Sequence, residues 1–392
     1  MFRILTLNNI AEVGLRRLPA DSFEVGTALK DPDAIILRSQ NLHDVDIPLS
    51  VAAIARAGAG TNNIPIEAMS ARGVPVFNTP GANANAVKEL VIAGLLIAAR
   101  NLCDAREYVR GLRETGEALN KAVEAGKKQF VGFELPDKTL GVVGLGAIGV
   151  EVANAALALG MKVIGFDPKI TVRNAWQLSA GVEQADTIEE LFQRANAITL
   201  HVPLNDDTKG LVNKKRLSLL PKGAVLVNFA RGTIVDNEAA LAALDSGRLG
   251  AYVCDFPTAE LITHRRVVAL PHLGASTLEA EENCAIMAAE NIKDFLLNGN
   301  IRYSVNFPEA RLPRLDAWRI TIANKNVPNM VGQISTSLAA AGLNIEDLLN
   351  KSLGELAYTI VDVNGAVSDQ TCAQIRAIDG VLSLRNLGKL VT

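Results

Sequence analysis

A chain of 392 residues that is 49% hydrophobic has the length for two or three domains, each with a core of its own. Its 39 basic and 42 acidic residues nearly cancel, so it lacks the long-range positive field that nucleic acid or an anionic membrane surface would need, and neither is expected as a partner. Met1 to Pro19 carries arginines and polar groups where a signal peptide needs an apolar run, and the most apolar stretch, Leu90 to Ala99, is too short to span a bilayer, so a cytoplasmic protein is expected. Cys103, Cys254, Cys284 and Cys372 lie far apart with no ligand-like grouping; they read as reduced core thiols, with no metal site.

Along the chain, Arg3–Leu7 and Ala34–Leu37 read as strands, and Pro65 opens a helix that Gly73 closes before the strand Val74–Phe77. The alternation predicts an α/β fold. From Leu140 it sharpens into strands at 140–143, 161–166, 196–200, 224–227, 250–254 and 266–270 separated by helices, the pattern of a doubly wound parallel sheet. After Pro271 a long helix, Thr277 to Leu297, has the length to run back to the first lobe. Pro308 and Pro313 bracket a linker, and 317–390 read as a separate unit of strand–helix–strand–strand–helix–strand order. The division expected is 1–84 with 277–306, then 85–276, then 317–392.

Gly144-Leu-Gly146-Ala147-Ile148-Gly149 follows the apolar strand Leu140–Val143 and precedes an alanine-rich helix. Gly144 permits a tight turn, Gly146 lets backbone approach a pyrophosphate, Gly149 allows close helix–strand packing, and the helix N-terminus offers free N–H donors. The next strand ends in Asp167, eighteen residues after Gly149, where a carboxylate accepts from ribose hydroxyls and repels a 2′-phosphate. NAD is therefore expected over NADP. Asp167, His201, Asn228 to Arg231, Asp255 and His272 all fall just past the C-terminal ends of predicted strands, the edge where open parallel sheets bind ligands.

Hydride transfer from a hydroxy acid needs a cation for the carboxylate, an acid/base for the hydroxyl proton, and a group that tunes that base. Arg231, His272 and Glu260 supply these types in turn: a planar bidentate grip, an imidazole, and a carboxylate that stabilises imidazolium. His201 is read as lining the cofactor cleft, and His43 and His264 as solvated.

These segments together resemble the D-2-hydroxyacid dehydrogenase family over about residues 1–306: Gly144–Gly149, Asn228-Phe-Ala-Arg-Gly-Thr-Ile-Val-Asp236, Glu260 five residues after Asp255, and Pro271-His-Leu-Gly-Ala-Ser-Thr277. Arg56-Ala-Gly-Ala-Gly-Thr-Asn62 and Asn78-Thr-Pro-Gly-Ala-Asn83 are similar to the family's substrate-lobe loops, and His201-Val202-Pro203 to its cofactor-side turn. Leu261 departs from the proline that commonly follows the glutamate, and the segment from Glu260 to His272 is short. The resemblance implies a flavodoxin-like substrate lobe and a Rossmann NAD lobe. It implies Arg231, Glu260 and His272 as catalytic, and Thr208, Ala230, Asp255 and Gly274 as cofactor contacts beside Gly144–Gly149, Asp167, His201, Val202 and Pro203. It further implies Ala59, Gly60 and Asn78 as substrate contacts with Arg231 and His272.

Arg38-Ser39 resembles the pair by which the family's phosphoglycerate branch meets the substrate phosphate, with Lys128 a weaker candidate. Residues 317–390 resemble an ACT domain, a small α+β regulatory fold that pairs with a second copy. Asn324, Asn326 and Asn344 match that family's effector contacts, implying an L-serine effector, and Asn329 replaces the usual glycine after Pro328 in a turn that an asparagine at positive φ can preserve. The resemblance implies NAD-dependent oxidation of D-3-phosphoglycerate, the entry step to serine synthesis, in a homodimer or homotetramer. Two other readings stay open: a reductase of glyoxylate, hydroxypyruvate or 2-oxoglutarate, and a dinucleotide-sensing binding protein similar to corepressors.

Overall fold

A computed structural model describes residues 1–389; the last three residues of the expected third domain lie outside it. The chain forms two compact units, Met1–Ala82 with Glu281–Thr392, and Asn83–Ala280.

The first unit holds a five-stranded parallel sheet of β1 (Phe2–Leu7), β2 (Phe23–Gly26), β3 (Ala34–Leu37), β4 (Ala53–Arg56) and β5 (Val76–Phe77), in the order β2-β1-β3-β4-β5. Every side chain of β3 is buried because both faces are covered, as parallel strands require. The second unit holds a seven-stranded parallel sheet: β6 (Thr139–Val143), β7 (Lys162–Phe166), β8 (Val182–Gln184), β9 (Ala197–Leu200), β10 (Ala224–Asn228), β11 (Leu249–Cys254) and β12 (Val267–Ala269), in the order β12-β11-β10-β9-β6-β7-β8. The order reverses between β6 and β9, which places the turn after β6 at a topological switch point.

The third sheet, β13 (Trp318–Lys325), β14 (Ile345–Leu353), β15 (Leu356–Val363) and β16 (Val381–Lys389), is antiparallel in the order β14-β15-β13-β16. The sequence suggests a separate unit, but this sheet belongs to the first one. Ile320, Ile322, Val361 and Val363 pack under two helices, Met330–Ala340 and Asp369–Arg376. On the other face, Ala323, Tyr358 and Ile360 share a core with Phe77 of β5 and with Phe295 of the long helix Leu278–Asn298. The supposed linker is likewise packed: Phe307 and Ala310 are buried, and Asn306 accepts from Val76 N–H while donating to Val74 C=O. Proline there stiffens a docked strap.

Arginines fix this joint. Arg385 Nη1 and Nη2 donate to the carbonyls of Phe295 and Leu296, Arg314 to Leu297, and Arg319 to Asn298, so the carbonyls of the last turn of the long helix are capped by side chains of the C-terminal module. Arg385 also stacks over Phe295, 4.3 Å from its centroid.

The structure corrects two smaller expectations. Cys103 is exposed, while the other three thiols are buried. His264 is half-buried rather than solvated, with Nε2 3.4 Å from Asp245 Oδ1 and Nδ1 accepting from Arg266 N–H.

Candidate active site

The turn after β6 has the geometry that its glycines were expected to serve. Gly144 sits at φ +91°, and a Cβ there would lie 2.6 Å from the His201 carbonyl oxygen; a Cβ on Gly149 would lie 1.9 Å from the carbonyl oxygen of Gly144. Only glycine fits either place. Gly146 faces open space at the start of the helix Ala147–Ala158, leaving room for a ligand at its N–H groups. Asp167, at the end of β7, accepts from Leu145 N–H and Lys169 N–H, each at 2.8 Å. Each oxygen keeps a further acceptor direction for ribose hydroxyls.

On the β9 side, Thr208 Oγ1 donates to the Pro203 carbonyl at 2.6 Å and closes the turn that follows His201 and Val202. Thr199 Oγ1 lies 2.9 Å from His201 Nε2, and burial pushes the imidazole down to about 3. His201 is therefore neutral at physiological pH and is no rival base.

Arg231 and His272 both lie within electrostatic reach of the Asp255 carboxylate. Asp255, 1% exposed, accepts Gly274 N–H through Oδ2 at 3.1 Å, while Oδ1 has no partner among the described residues. Burial raises its carboxyl above the ordinary 3.8, against the Gly274 bond and the charges of His272 and Arg231. His272 adopts φ +41°, donates its backbone N–H to the Asp255 carbonyl at 3.1 Å, and packs its ring on Phe256 at 4.9 Å. Its ring nitrogens meet no hydrogen-bond partner among the described residues, so they are open to a ligand. A cavity of about 470 Å³ opens beside the ring, lined by Gly232, Asp255, Phe256 and Thr258 among others.

Asn228 is the residue whose role the sequence left unread. Fully buried at the end of β10, it accepts Ala230 N–H through Oδ1 and donates through Nδ2 to the Arg231 carbonyl at 3.0 Å, locking the turn that presents the guanidinium. Its signal was its place at a strand's end before the arginine.

The expected contact between Glu260 and His272 is not made. Glu260 is exposed on the short helix Ala259–Thr263, and its pKa is lowered by backbone N–H at the helix start and by Thr258, with no bond to the imidazole among the described residues. Leu261, in place of the usual proline, is fully buried. It draws the helix onto the core and turns its neighbour outward.

Residues 92–274 match the family described as D-isomer specific 2-hydroxyacid dehydrogenase, NAD binding domain. Over an alignment of 414 residues the chain is 33% identical to D-3-phosphoglycerate dehydrogenase of Methanocaldococcus jannaschii, covering 98% of this chain and 75% of that protein. The chain belongs to the D-isomer specific 2-hydroxyacid dehydrogenase family. To D-3-phosphoglycerate dehydrogenase of Haemophilus influenzae the dehydrogenase is 33% identical, with 94% of this chain and 89% of that one covered. It aligns with TM-score 0.60 and 31% identity to the crystal structure of the NAD+-bound 3-phosphoglycerate dehydrogenase of Entamoeba histolytica, over 78% of this chain and 98% of that one. The second unit of the dehydrogenase is thus an NAD-binding domain, and its residues fit the cofactor. The orphaned Asp255 oxygen awaits a donor, as a carboxamide would supply, and the Gly144–Gly149 turn leaves space for a pyrophosphate.

In the first unit the candidates gather at the carboxyl edge of the sheet. Arg38 and Ser39 follow β3, Arg56 ends β4, and Asn78 follows β5. Asn8, after β1 and at φ 69°, accepts Ser39 N–H and Gln40 N–H and shapes that loop, a role the sequence did not disclose. Asn78 Nδ2 donates to the Ala59 carbonyl at 2.7 Å and fixes the loop that holds Gly60. Arg56 Nε donates to the Arg38 carbonyl at 3.1 Å, so a second cation stands beside the expected one. Lys128, on the turn Lys127–Phe130, belongs to the other unit.

The effector candidates do not gather within one chain. Asn324 is buried, donating to the Lys325 carbonyl and accepting from Thr359; Asn326 is exposed and donates to the Gly354 carbonyl. Asn344 precedes β14, whose first residue pairs with Val363 and so lies at the Trp318 end of the sheet, roughly 20 Å from Asn326. Asn329 holds φ 65° and starts its helix, so the turn survives the loss of glycine.

Proposed function

We propose that the chain oxidises D-3-phosphoglycerate to 3-phosphohydroxypyruvate with NAD, which supplies the hydride acceptor. Arg231 grips the substrate carboxylate through its guanidinium donors, of which one bond, to the Ala230 carbonyl, is made among the described residues. His272 takes the hydroxyl proton: its imidazole is exposed, its ring nitrogens have no hydrogen-bond partner among the described residues, and its left-handed backbone is held by Asp255. Asp255 and Gly274 orient the cofactor's carboxamide end, while the Gly144–Gly149 turn and Asp167 hold its phosphates and ribose. Glu260 makes no hydrogen bond to His272 among the described residues, and the carboxylate that faces the imidazole in this reading is Asp255. Arg38 and Ser39 meet the phosphate, with Asn78, Ala59 and Gly60 forming the loop on the carboxylate side.

The observation that carries this reading is the joint approach of Arg231 and His272 to one buried carboxylate with an open oxygen. A dinucleotide-sensing protein without turnover has no use for an unpartnered imidazole in that place. The test is initial-rate production of reduced cofactor from D-3-phosphoglycerate and from D-lactate with NAD. A higher kcat/KM for the phosphorylated acid is expected, and turnover of the unphosphorylated acid alone would withdraw the substrate.

The same proposal includes a cytoplasmic location, a homo-oligomer, and an L-serine site in the C-terminal module. Because Asn344 lies at the far end of the sheet from Asn326, such a site would take Asn344 from a second copy. Serine titration of wild type against Asn344→Ala tests it.

A further inference from the structure

Arg38, the proposed phosphate contact, already holds an anion. Its Nη1 is 2.6 Å from Glu281 Oε1, with both side chains about a third to two-fifths exposed. Glu281 lies in the first turns of the helix Leu278–Asn298, one turn before Cys284, whose buried thiol feels the charges of Arg38, Arg56 and Glu281 together. Two guanidiniums and one carboxylate therefore stand together at the carboxyl edge of the first sheet. The helix is held at its other end by Arg385, Arg314 and Arg319 on successive carbonyls, so the carboxylate is delivered by a fixed rod and not by a mobile loop.

We propose that Glu281 is the resident counter-ion of the phosphate subsite: the substrate phosphate displaces it from Arg38, whereas a ligand without phosphate leaves the pair closed. This rests on the reading of Arg38 as a phosphate contact. A half-exposed ion pair is weak, so a dianion at Arg38 replaces the glutamate readily. A singly charged carboxylate or an uncharged hydroxymethyl group gains no such advantage. The glutamate thus neutralises Arg38 when no phosphate is present.

Glu281→Gln keeps the side chain's shape and removes the competing charge. The variant is expected to lower KM for D-3-phosphoglycerate roughly two- to fivefold, the range in which exposed pairs act, with kcat moving by less than about twofold. KM for D-glycerate, which lacks the phosphate, is expected to stay within about twofold, and the gain is expected to vanish when Arg38→Met is added. Inorganic phosphate titrated calorimetrically into both proteins is expected to bind the variant more tightly. An unchanged or raised KM for the phosphorylated acid, an equal shift for D-glycerate, or equal affinity for inorganic phosphate would overturn the role of Glu281. Failure of the wild type to oxidise D-3-phosphoglycerate would instead sink the substrate reading, and the phosphate titration would still decide on Glu281.

Discussion

At the joint of the C-terminal module, Arg319 is fully buried and all five of its N–H groups are met: by both oxygens of Asp362 at 2.6 Å and by the carbonyls of Asn298, Leu312 and Pro313. In the NAD-binding unit, and among the described residues, Arg231 is half-buried and meets a single protein carbonyl, while neighbouring Asp255 is as buried as Asp362 yet leaves one oxygen unbonded. The two regions use the same side-chain chemistry and differ in saturation. A polar group that serves the fold has its partners inside the chain, because an unmet buried donor or acceptor costs stability. A group that serves a ligand keeps directions open, and the fold tolerates that cost at the few places where a ligand can relieve it.

The contrast can be broken most forcefully at Arg319. Arg319→Met leaves Asp362 buried without its cation, and urea unfolding is expected to show a loss of about 3–5 kcal/mol. Replacing both partners, as in Arg319→Met with Asp362→Leu, is expected to recover most of that loss; a loss below about 1 kcal/mol in the single variant would mean that the joint is not held by this pair.

Asp255→Asn sharpens the other side. Burial holds the Asp255 carboxyl above its ordinary pKa, so its contribution to stability is present below about pH 4 and is lost as pH rises through the raised value. At neutral pH the variant is therefore expected to melt no lower than wild type, while NAD binding weakens by about 1.5–3 kcal/mol, tenfold or more, by loss of a charged acceptor. Parallel losses of melting temperature and affinity would make Asp255 structural.

His201 gives the smallest effect and a defined pH window. Its folded pKa of about 3 lies below the ordinary 6.5 of a histidine, so its contribution is complete above that value and is lost as pH falls towards 3. From about pH 7.5 to about pH 5 wild type is expected to lose about 1–2 kcal/mol more than His201→Gln in urea unfolding. Equal losses would remove His201 from the acid limb.

Where the signal was local, the sequence carried it. The Gly144–Gly149 turn, Asp167 and the strands β6, β7, β9, β10 and β11 follow from glycine sterics and from apolar runs of ordinary length. The edge strands Phe23–Gly26 and Val182–Gln184 were illegible because runs of three or four residues, with Phe23 alone buried, are too short to show a period. The docking of the C-terminal module had a signal that two prolines masked. β13 and β15 are buried on both faces, a pattern that a one-sided sheet under two helices does not need. The outward turn of Glu260 depended on which way Leu261 packed, a tertiary matter that spacing does not reveal.

The account turns on His272 as the group left open for the hydroxyl proton. Its most direct test is kcat of His272→Ala with D-3-phosphoglycerate and NAD, measured beside the melting temperature. A fall in kcat of about 10²–10⁴ at an unchanged melting temperature is expected. Turnover within twofold of wild type would contradict it.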